Sequence, residues 1–364
     1  MDYFQKQLRT GKYCLFVCLL LFLFPIKNYA TPLDRLDVNG YFSFEYEKNI
    51  GGDDEGDLKG SFDADLIDLV FNFRATDRLR IALDLTWEHG TATEDKRGNA
   101  AVEYAFAEYT FSDLVKVRAG KQFTNFGIYN EIHTAKPATL TVKEPLSTNK
   151  NNKLGSEYRF YPRWNNGISA VGNTDVKLGE LDYVVQILNG DADDDDGSNP
   201  FEEDSNTHKA FNARVRISTE SDIRYGLSYY IDSIDVGAEE VGLESIGFQF
   251  EVANIGFQTG IEFEVVFGTE EYEQTSDIDR NAFTLMVFNS VNSWLTPYLR
   301  YEYLDPNDDV SNDEANISIV GVNILFDGNA YLKFEVNHIE TQERNNDFSG
   351  ADFTEFKASI SIGF

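Results

Sequence analysis

From Leu36 onward the chain alternates apolar and polar side chains one by one. Leu36, Val38, Gly40, Phe42, Phe44 and Tyr46 fall on one face, with Asp37, Asn39, Tyr41, Ser43, Glu45 and Glu47 on the other. This is the period-2 signature of a strand with one apolar side. The pattern recurs: Leu79, Ile81, Leu83, Leu85 and Trp87 oppose Arg80, Ala82, Asp84, Thr86 and Glu88, while Val115, Val117 and Ala119 oppose Lys116, Arg118 and Gly120. It is longest at Ile255, Phe257, Thr259, Ile261, Phe263 and Val265 against Gln258, Gly260, Glu262 and Glu264. Sixteen such segments are expected, at about 36–48, 62–74, 79–88, 100–111, 114–123, 166–174, 181–189, 208–219, 223–233, 244–253, 255–267, 281–291, 294–304, 316–326, 330–340 and 353–364.

The connections alternate too. Short ones are expected near Thr76-Asp77, Ser112-Asp113, Asp175 to Glu180, Ser221-Asp222, Asn254, Asn292-Ser293 and Asp327-Gly328. Long ones are expected at 49–61, 89–99, 124–165, 190–207, 234–243, 268–280, 305–315 and 341–352. A soluble sandwich has no reason to make every second connection long. An outer-membrane barrel has one, because its periplasmic turns are short and its extracellular loops extended. The expected fold is therefore all-β, a sixteen-stranded antiparallel transmembrane β-barrel. Its last strand sets Phe356, Ala358, Ile360, Ile362 and Phe364 against Glu355, Lys357, Ser359 and Ser361. Aromatics near strand ends, such as Tyr41, Trp87, Tyr109 and Tyr301, suit interfacial girdles, though aromatics also favour strands in general.

The first 30 residues read as a secretory signal, since Lys6, Arg9 and Lys12 precede an apolar run from Cys14 to Pro25 and the small Ala30. That run is shorter than the ~20 residues a spanning helix needs, and no later segment approaches it. Residues 31–364 are then the barrel domain, in the outer membrane of a Gram-negative cell. Both cysteines, Cys14 and Cys18, lie in the signal, so the mature chain has no disulfide. Leu15 to Cys18 spells a lipoprotein motif, but inside the apolar run rather than after it.

The formal charge is −31, and removal of Lys6, Arg9, Lys12 and Lys27 with Asp2 makes the mature chain three charges more negative still. This excludes a general nucleic-acid binder. An aromatic content of 14% argues against disorder. Mean hydropathy of −0.37 suits alternating faces rather than a helical membrane protein.

Against this acidity, the stretch from Lys121 to Asn166 carries seven basic residues and three acidic ones. A connection of this length is improbable in a compact domain unless it works. Lys121, Lys136, Lys143, Lys150, Lys153, Arg159 and Arg163, with Arg118 below them, are the expected pore-constriction residues. Basic rings favour anions through focused potential in a water-filled pore. Inward Asp84, Glu88, Asp232, Glu262, Glu264, Glu302 and Glu335 are positioned to pair with them, and acidic rims favour cations, so anion preference, cation preference and weak selectivity all stay open. Gly120-Lys121-Gln122-Phe123-Thr124-Asn125-Phe126-Gly127 is similar to the Gly-x-Phe-x-x-Pro-Phe-Gly segment of phosphate-selective porin O/P-like proteins, with Asn125 where Pro is common. The resemblance implies a trimeric channel for small anions whose third loop folds inward.

The expected partners are outer-membrane lipid and lipopolysaccharide, the barrel-insertion machinery reading Phe364, small solutes, and further copies in a homotrimer. No cofactor, catalytic residue or metal site is expected. His89, His133, His208 and His338 lack a recognisable catalytic partner motif. Ala192 to Glu203 nearly spells an EF-hand loop, but Ala192 fills the first ligand position. Solvated acidic loops are the plainer reading there, and a non-conducting adhesin or receptor is the rival to a channel.

Overall fold

A computed structural model describes residues 32–52, 59–88, 99–148, 160–190, 206–236, 239–273, 275–341 and 352–364. The expected signal, Lys150, Lys153, Arg159 and the EF-hand-like fragment lie outside the described residues. The chain divides into two units, Met1–Asp37 and Val38–Phe364. Of the first unit, the structure describes a 3-10 turn at Pro32–Arg35 and the start of the first strand.

The second unit is a closed antiparallel barrel of sixteen strands, each bonded to its sequence neighbours. The first eight are β1 (Leu36–Gly52), β2 (Ser61–Arg74), β3 (Leu79–Glu88), β4 (Asn99–Thr110), β5 (Lys116–Phe123), β6 (Trp164–Val176), β7 (Gly179–Leu188) and β8 (Ala210–Ser218). The others are β9 (Ile223–Val236), β10 (Glu239–Val252), β11 (Thr259–Tyr272), β12 (Ile278–Asn289), β13 (Leu295–Asp305), β14 (Ala315–Asp327), β15 (Ala330–Thr341) and β16 (Asp352–Gly363). Closure comes from β1 against β16, with Tyr41 opposite Gly363 and Glu45 opposite Ser359. The terminal residue completes the seam: Phe364 N–H donates to Gly40 O at 3.0 Å and Gly40 N–H to Phe364 O at 2.8 Å.

The two faces of the wall are the reverse of a soluble protein's. On β13, Tyr298, Arg300 and Glu302 are buried while Leu299 between them is 58% exposed. On β7, Gln186 is fully buried and Ile187 is 58% exposed. Apolar side chains thus cover the outside and polar ones the inside, which is stable only with hydrocarbon outside.

Three expectations need correcting. The alternation at Ile255 and Phe257 is not strand: Gly256, Phe257 and Gln258 have φ of 126°, 53° and 58°, and Phe257 is 99% exposed. A period-2 pattern runs on through this hairpin turn because polarity records which side a residue faces, not the sign of φ. Nor is there a ten-residue connection at 234–243. β9 and β10 continue to Val236 and Glu239, which pair directly, leaving positions 237 and 238 between them. Acidic residues there cost a ladder nothing once it has left the hydrocarbon layer. The expected 268–280 connection shortens similarly, to 273–277.

Placing a charge on the outer face tests which side meets lipid. Leu299→Arg should lower barrel stability by about 2–4 kcal/mol in reversible urea unfolding from lipid vesicles, whereas Leu299→Ile should be close to neutral.

Candidate functional site

Residues 124–163 join β5 to β6 and hold two 3-10 turns, Asn130–Ile132 and Lys136–Ala138. The described parts, 124–148 and 160–163, lack a ladder, so their backbone groups need other partners. Buried residues of distant strands supply them. Ile128 N–H donates to Glu264 Oε2 at 2.5 Å, Val142 N–H to Glu335 Oε1 at 2.7 Å and Leu146 N–H to Glu302 Oε2 at 2.8 Å. Tyr129 Oη donates to Glu262 Oε2 at 2.9 Å. In the opposite sense, Lys333 Nζ donates to Lys136 O at 2.6 Å and Thr141 O at 2.9 Å, Arg300 Nη1 to Lys143 O at 2.9 Å, and Ser245 Oγ to Phe160 O at 2.6 Å. Most of these bonds have a carboxyl, amine or guanidinium side chain as the partner.

Packing reinforces the bonding. Phe126, Leu146, Phe160 and Tyr161 form one apolar cluster with Leu188, Ala210, Tyr230, Val266, Ala282, Leu304 and Ala315 of the wall. Phe126 stacks on Tyr161 with ring centroids 4.2 Å apart. Wall glycines make room: a Cβ on Gly247 would meet the Phe126 ring at 2.5 Å, and one on Gly268 the Phe160 ring at 2.8 Å. At Gly127, φ of +61° and the adjoining Glu264 carboxylate both exclude a side chain.

The expected constriction residues separate into groups. Lys136, Lys143 and Arg163 come together, but with acids among them. Lys143 Nζ lies 2.7 Å from Glu45 Oε2 and 2.9 Å from Asp65 Oδ1. Lys136 Nζ is 3.6 Å from Glu144 Oε2 and 4.0 Å from Asp65 Oδ2. Arg163 Nη2 is 2.9 Å from Glu144 Oε1 and also bonds Thr148 O. Three cations therefore meet three carboxylates. Burial alone would raise the Glu144 carboxyl, but Lys136 and Arg163 together outweigh it and hold it well below the usual carboxylate range. Burial likewise opposes the Lys143 ammonium, yet Glu45 and Asp65 push it well above the ordinary lysine value.

Arg118 lies apart, close to the short 111–115 turn. Its Nε bonds Glu108 Oε2 at 2.5 Å, Arg80 Nη2 reaches the same carboxylate at 3.1 Å, and both guanidinium groups lie over the Phe106 ring. Lys121 is set apart by register: it pairs with Ala105 and Asn166, on the face opposite Arg118 and the buried Gln122, and donates to Val102 O at 2.5 Å. His133 is buried. Its Nδ1–H donates to Asn130 O at 2.7 Å, and burial, followed by the Arg163 charge, pushes its pKa down. Trp164, against which His133 packs edge-on, donates from Nε1 to Glu103 Oε2 at 2.6 Å. Glu103 is the bulged residue where β4 slips against Asp84 and Leu85.

The pairing of the wall acids was partly open to the alternation pattern. Glu302 does pair with an arginine, Arg300, at 2.6 Å, but Glu264 and Glu335 receive loop amides instead. Glu45, Asp65 and Glu144, which neutralise the loop cations, carry no signal beyond parity.

No family model matches the chain. An uncharacterized protein of Aquifex aeolicus (strain VF5) is 29% identical over 157 residues, 43% of this chain and 32% of that one, so the chain spans about a third of that relative's length. Among solved structures, an anion-selective porin from Comamonas acidovorans aligns at 13% identity over 90% of this chain and 99% of that chain, with TM-score 0.62. The outer membrane channel DcaP of Acinetobacter baumannii gives 12%, 90%, 97% and 0.62, and OprB of Pseudomonas putida 11%, 91%, 95% and 0.64. The chain thus has the closed-barrel fold of outer-membrane porins.

Two tests follow from the Arg163–Glu144 pair. Arg163→Ala removes one of the two cations at the buried Glu144 carboxylate, leaving Lys136 at 3.6 Å, and should cost about 1.5–3 kcal/mol, read as a lower unfolding midpoint and a shift in Trp164 fluorescence in a Trp87→Phe, Trp294→Phe background. For pH, the folded Glu144 carboxyl lies below the unfolded value of ~4.3, so its stabilisation is complete above that value and is lost as pH falls through the folded one. His133, depressed from ~6.5, acts in the same direction. Trp164 emission should therefore change on acidification below about pH 6, an effect reduced in Glu144→Gln.

Proposed function

We propose that this chain is an outer-membrane channel through which small hydrophilic solutes pass by passive diffusion, with residues 124–163 folded into the barrel as its narrow part. The observation that carries the reading is the inverted wall: exposed apolar side chains outside and buried polar and charged ones inside a closed sixteen-stranded ladder. The loop placement is supported by its bonds to buried residues of β11, β13 and β15, strands far around the barrel from β5 and β6. Secretion by the 1–30 signal, insertion through the Phe364 strand, contact with lipid and lipopolysaccharide, and assembly as a homotrimer belong to the same proposal. So does the absence of bond chemistry, since the named groups set local potential only.

On ion preference, the paired charges favour weak selectivity over a strong anion filter. The net positive charge of the loop does not stand free at Lys136, Lys143 and Arg163, because Glu45, Asp65 and Glu144 meet it. Among the described residues, Arg80 and Arg118 both pair with Glu108, two cations on one carboxylate, which leaves a local positive excess. The likeness to phosphate-selective porins therefore supplies the position of the constriction and not its solute.

Planar bilayers decide the matter. Purified protein should give stepwise conductance with a small reversal potential in a KCl gradient. Lys136→Gln with Lys143→Gln, which leaves the three carboxylates in excess, should move that potential toward cation preference. An unchanged potential removes this cluster from the ion path. No conductance steps at all would leave the adhesin or receptor reading.

A further inference from the structure

On the outer side of the barrel, at the long-connection end of the β15–β16 ladder, three potential metal ligands converge. His338 and Glu340 alternate onto the same side of β15, and Asp352 stands directly opposite Glu340 on β16. His338 Nε2 lies 3.1 Å from Glu340 Oε1 and 3.6 Å from Asp352 Oδ1, and one donor atom from each residue lies within 4.8 Å of the others. A tetrahedral ion bound at about 2.0–2.2 Å holds its ligands roughly 3.3–3.6 Å apart, so only small side-chain adjustments separate this arrangement from a coordination sphere.

The second nitrogen of the ring strengthens the argument. His338 Nδ1 is 3.3 Å from Thr354 Oγ1, and Thr354 is the cross-strand partner of His338. In the tautomer with Nδ1–H donating to that hydroxyl, the Nε2 lone pair is directed at two carboxylate oxygens, the orientation in which a cation between them would be bound. A hydrogen bond to the remote nitrogen is also how metal-ligating histidines are oriented. Among the described residues, His338 is the ion-pair partner found for Glu340 and Asp352. Side-chain exposures of 43%, 57% and 60% leave room for water on the open side.

We propose that His338, Glu340 and Asp352 bind one borderline divalent transition-metal ion, of the zinc class, at the outer rim of the barrel, with Thr354 as the positioning residue. One imidazole with two carboxylates selects such an ion over magnesium or calcium, which take oxygen ligands throughout. Three protein ligands leave a coordination position for water. The bound ion ties β15 to β16 across the connection between them. The linear sequence offers no ligand motif here, because Asp352 is brought to Glu340 only by the hairpin register.

The test uses tag-free, full-length protein refolded in detergent and Zn²⁺ alone, by equilibrium dialysis and calorimetry. One saturable zinc per chain is expected, with a rise in the unfolding midpoint as zinc is added. His338→Ala should abolish both effects, Glu340→Gln should weaken binding, and Thr354→Val should lower affinity by about 10–100-fold. His208→Ala removes a histidine that faces one acid, Glu240, at 3.4 Å and should change nothing. Wild-type protein that binds no zinc saturably, or a folded His338→Ala chain that still binds one with unchanged affinity, overturns the proposal. Binding that survives Thr354→Val at full affinity overturns the positioning role.

Discussion

A peptide N–H or C=O left unpaired in hydrocarbon costs several kcal/mol, and a sheet that meets lipid can have no free edge. That constraint explains why the chain runs as neighbouring antiparallel strands and why its two ends must meet. The seam is made by Tyr41 to Gly52 against Phe353 to Gly363 and is completed by the reciprocal bonds of Gly40 and Phe364. With the ladder closed, the wall strands take their backbone partners from their neighbours. The side chains are then free to be sorted by what lies on either side of the wall.

The same rule governs the 124–163 segment, which has no ladder of its own. Its amides and carbonyls are taken up by carboxylates, ammonium and guanidinium groups that the wall strands carry at buried positions, with Glu264, Glu302, Glu335, Arg300 and Lys333 doing most of this. Such side chains suit the task because they are long and carry several donor or acceptor atoms for single backbone groups. A wall built only to face water would have no need of fully buried glutamates. Here Glu264 and Glu302 are each about 1% exposed, and each holds one turn of the irregular segment in place.

Charge placement follows from this anchoring. A loop rich in lysine and arginine within a very acidic chain suggests a positive ring, yet positive groups brought close to acidic walls pair with them before they act on solutes at a distance. Lys143 between Glu45 and Asp65, and Glu144 between Lys136 and Arg163, make a compact alternating cluster. Its far field is weak because opposite charges a few ångströms apart cancel beyond a Debye length of ~8 Å. Net charge counted along a segment is thus a poor guide to the potential that the segment creates.

Strand order, strand number and the inside and outside of almost every strand were legible in the alternation of residues, because the requirement of lipid on one side and polar surroundings on the other is imposed locally at each position. Even the separation of Lys121 from Arg118 was written there, since Lys121 shares parity with Ala119. What alternation does not carry is the sign of φ, so Phe257 read as strand while the chain was turning, and it does not mark where a ladder stops once both faces are polar, so β9 and β10 ran further than expected. The partners of the long connection were beyond its reach altogether. Val142 and Glu335 are 193 positions apart, Lys143 and Asp65 are 78 apart, and only closure of the barrel brings them within bonding distance.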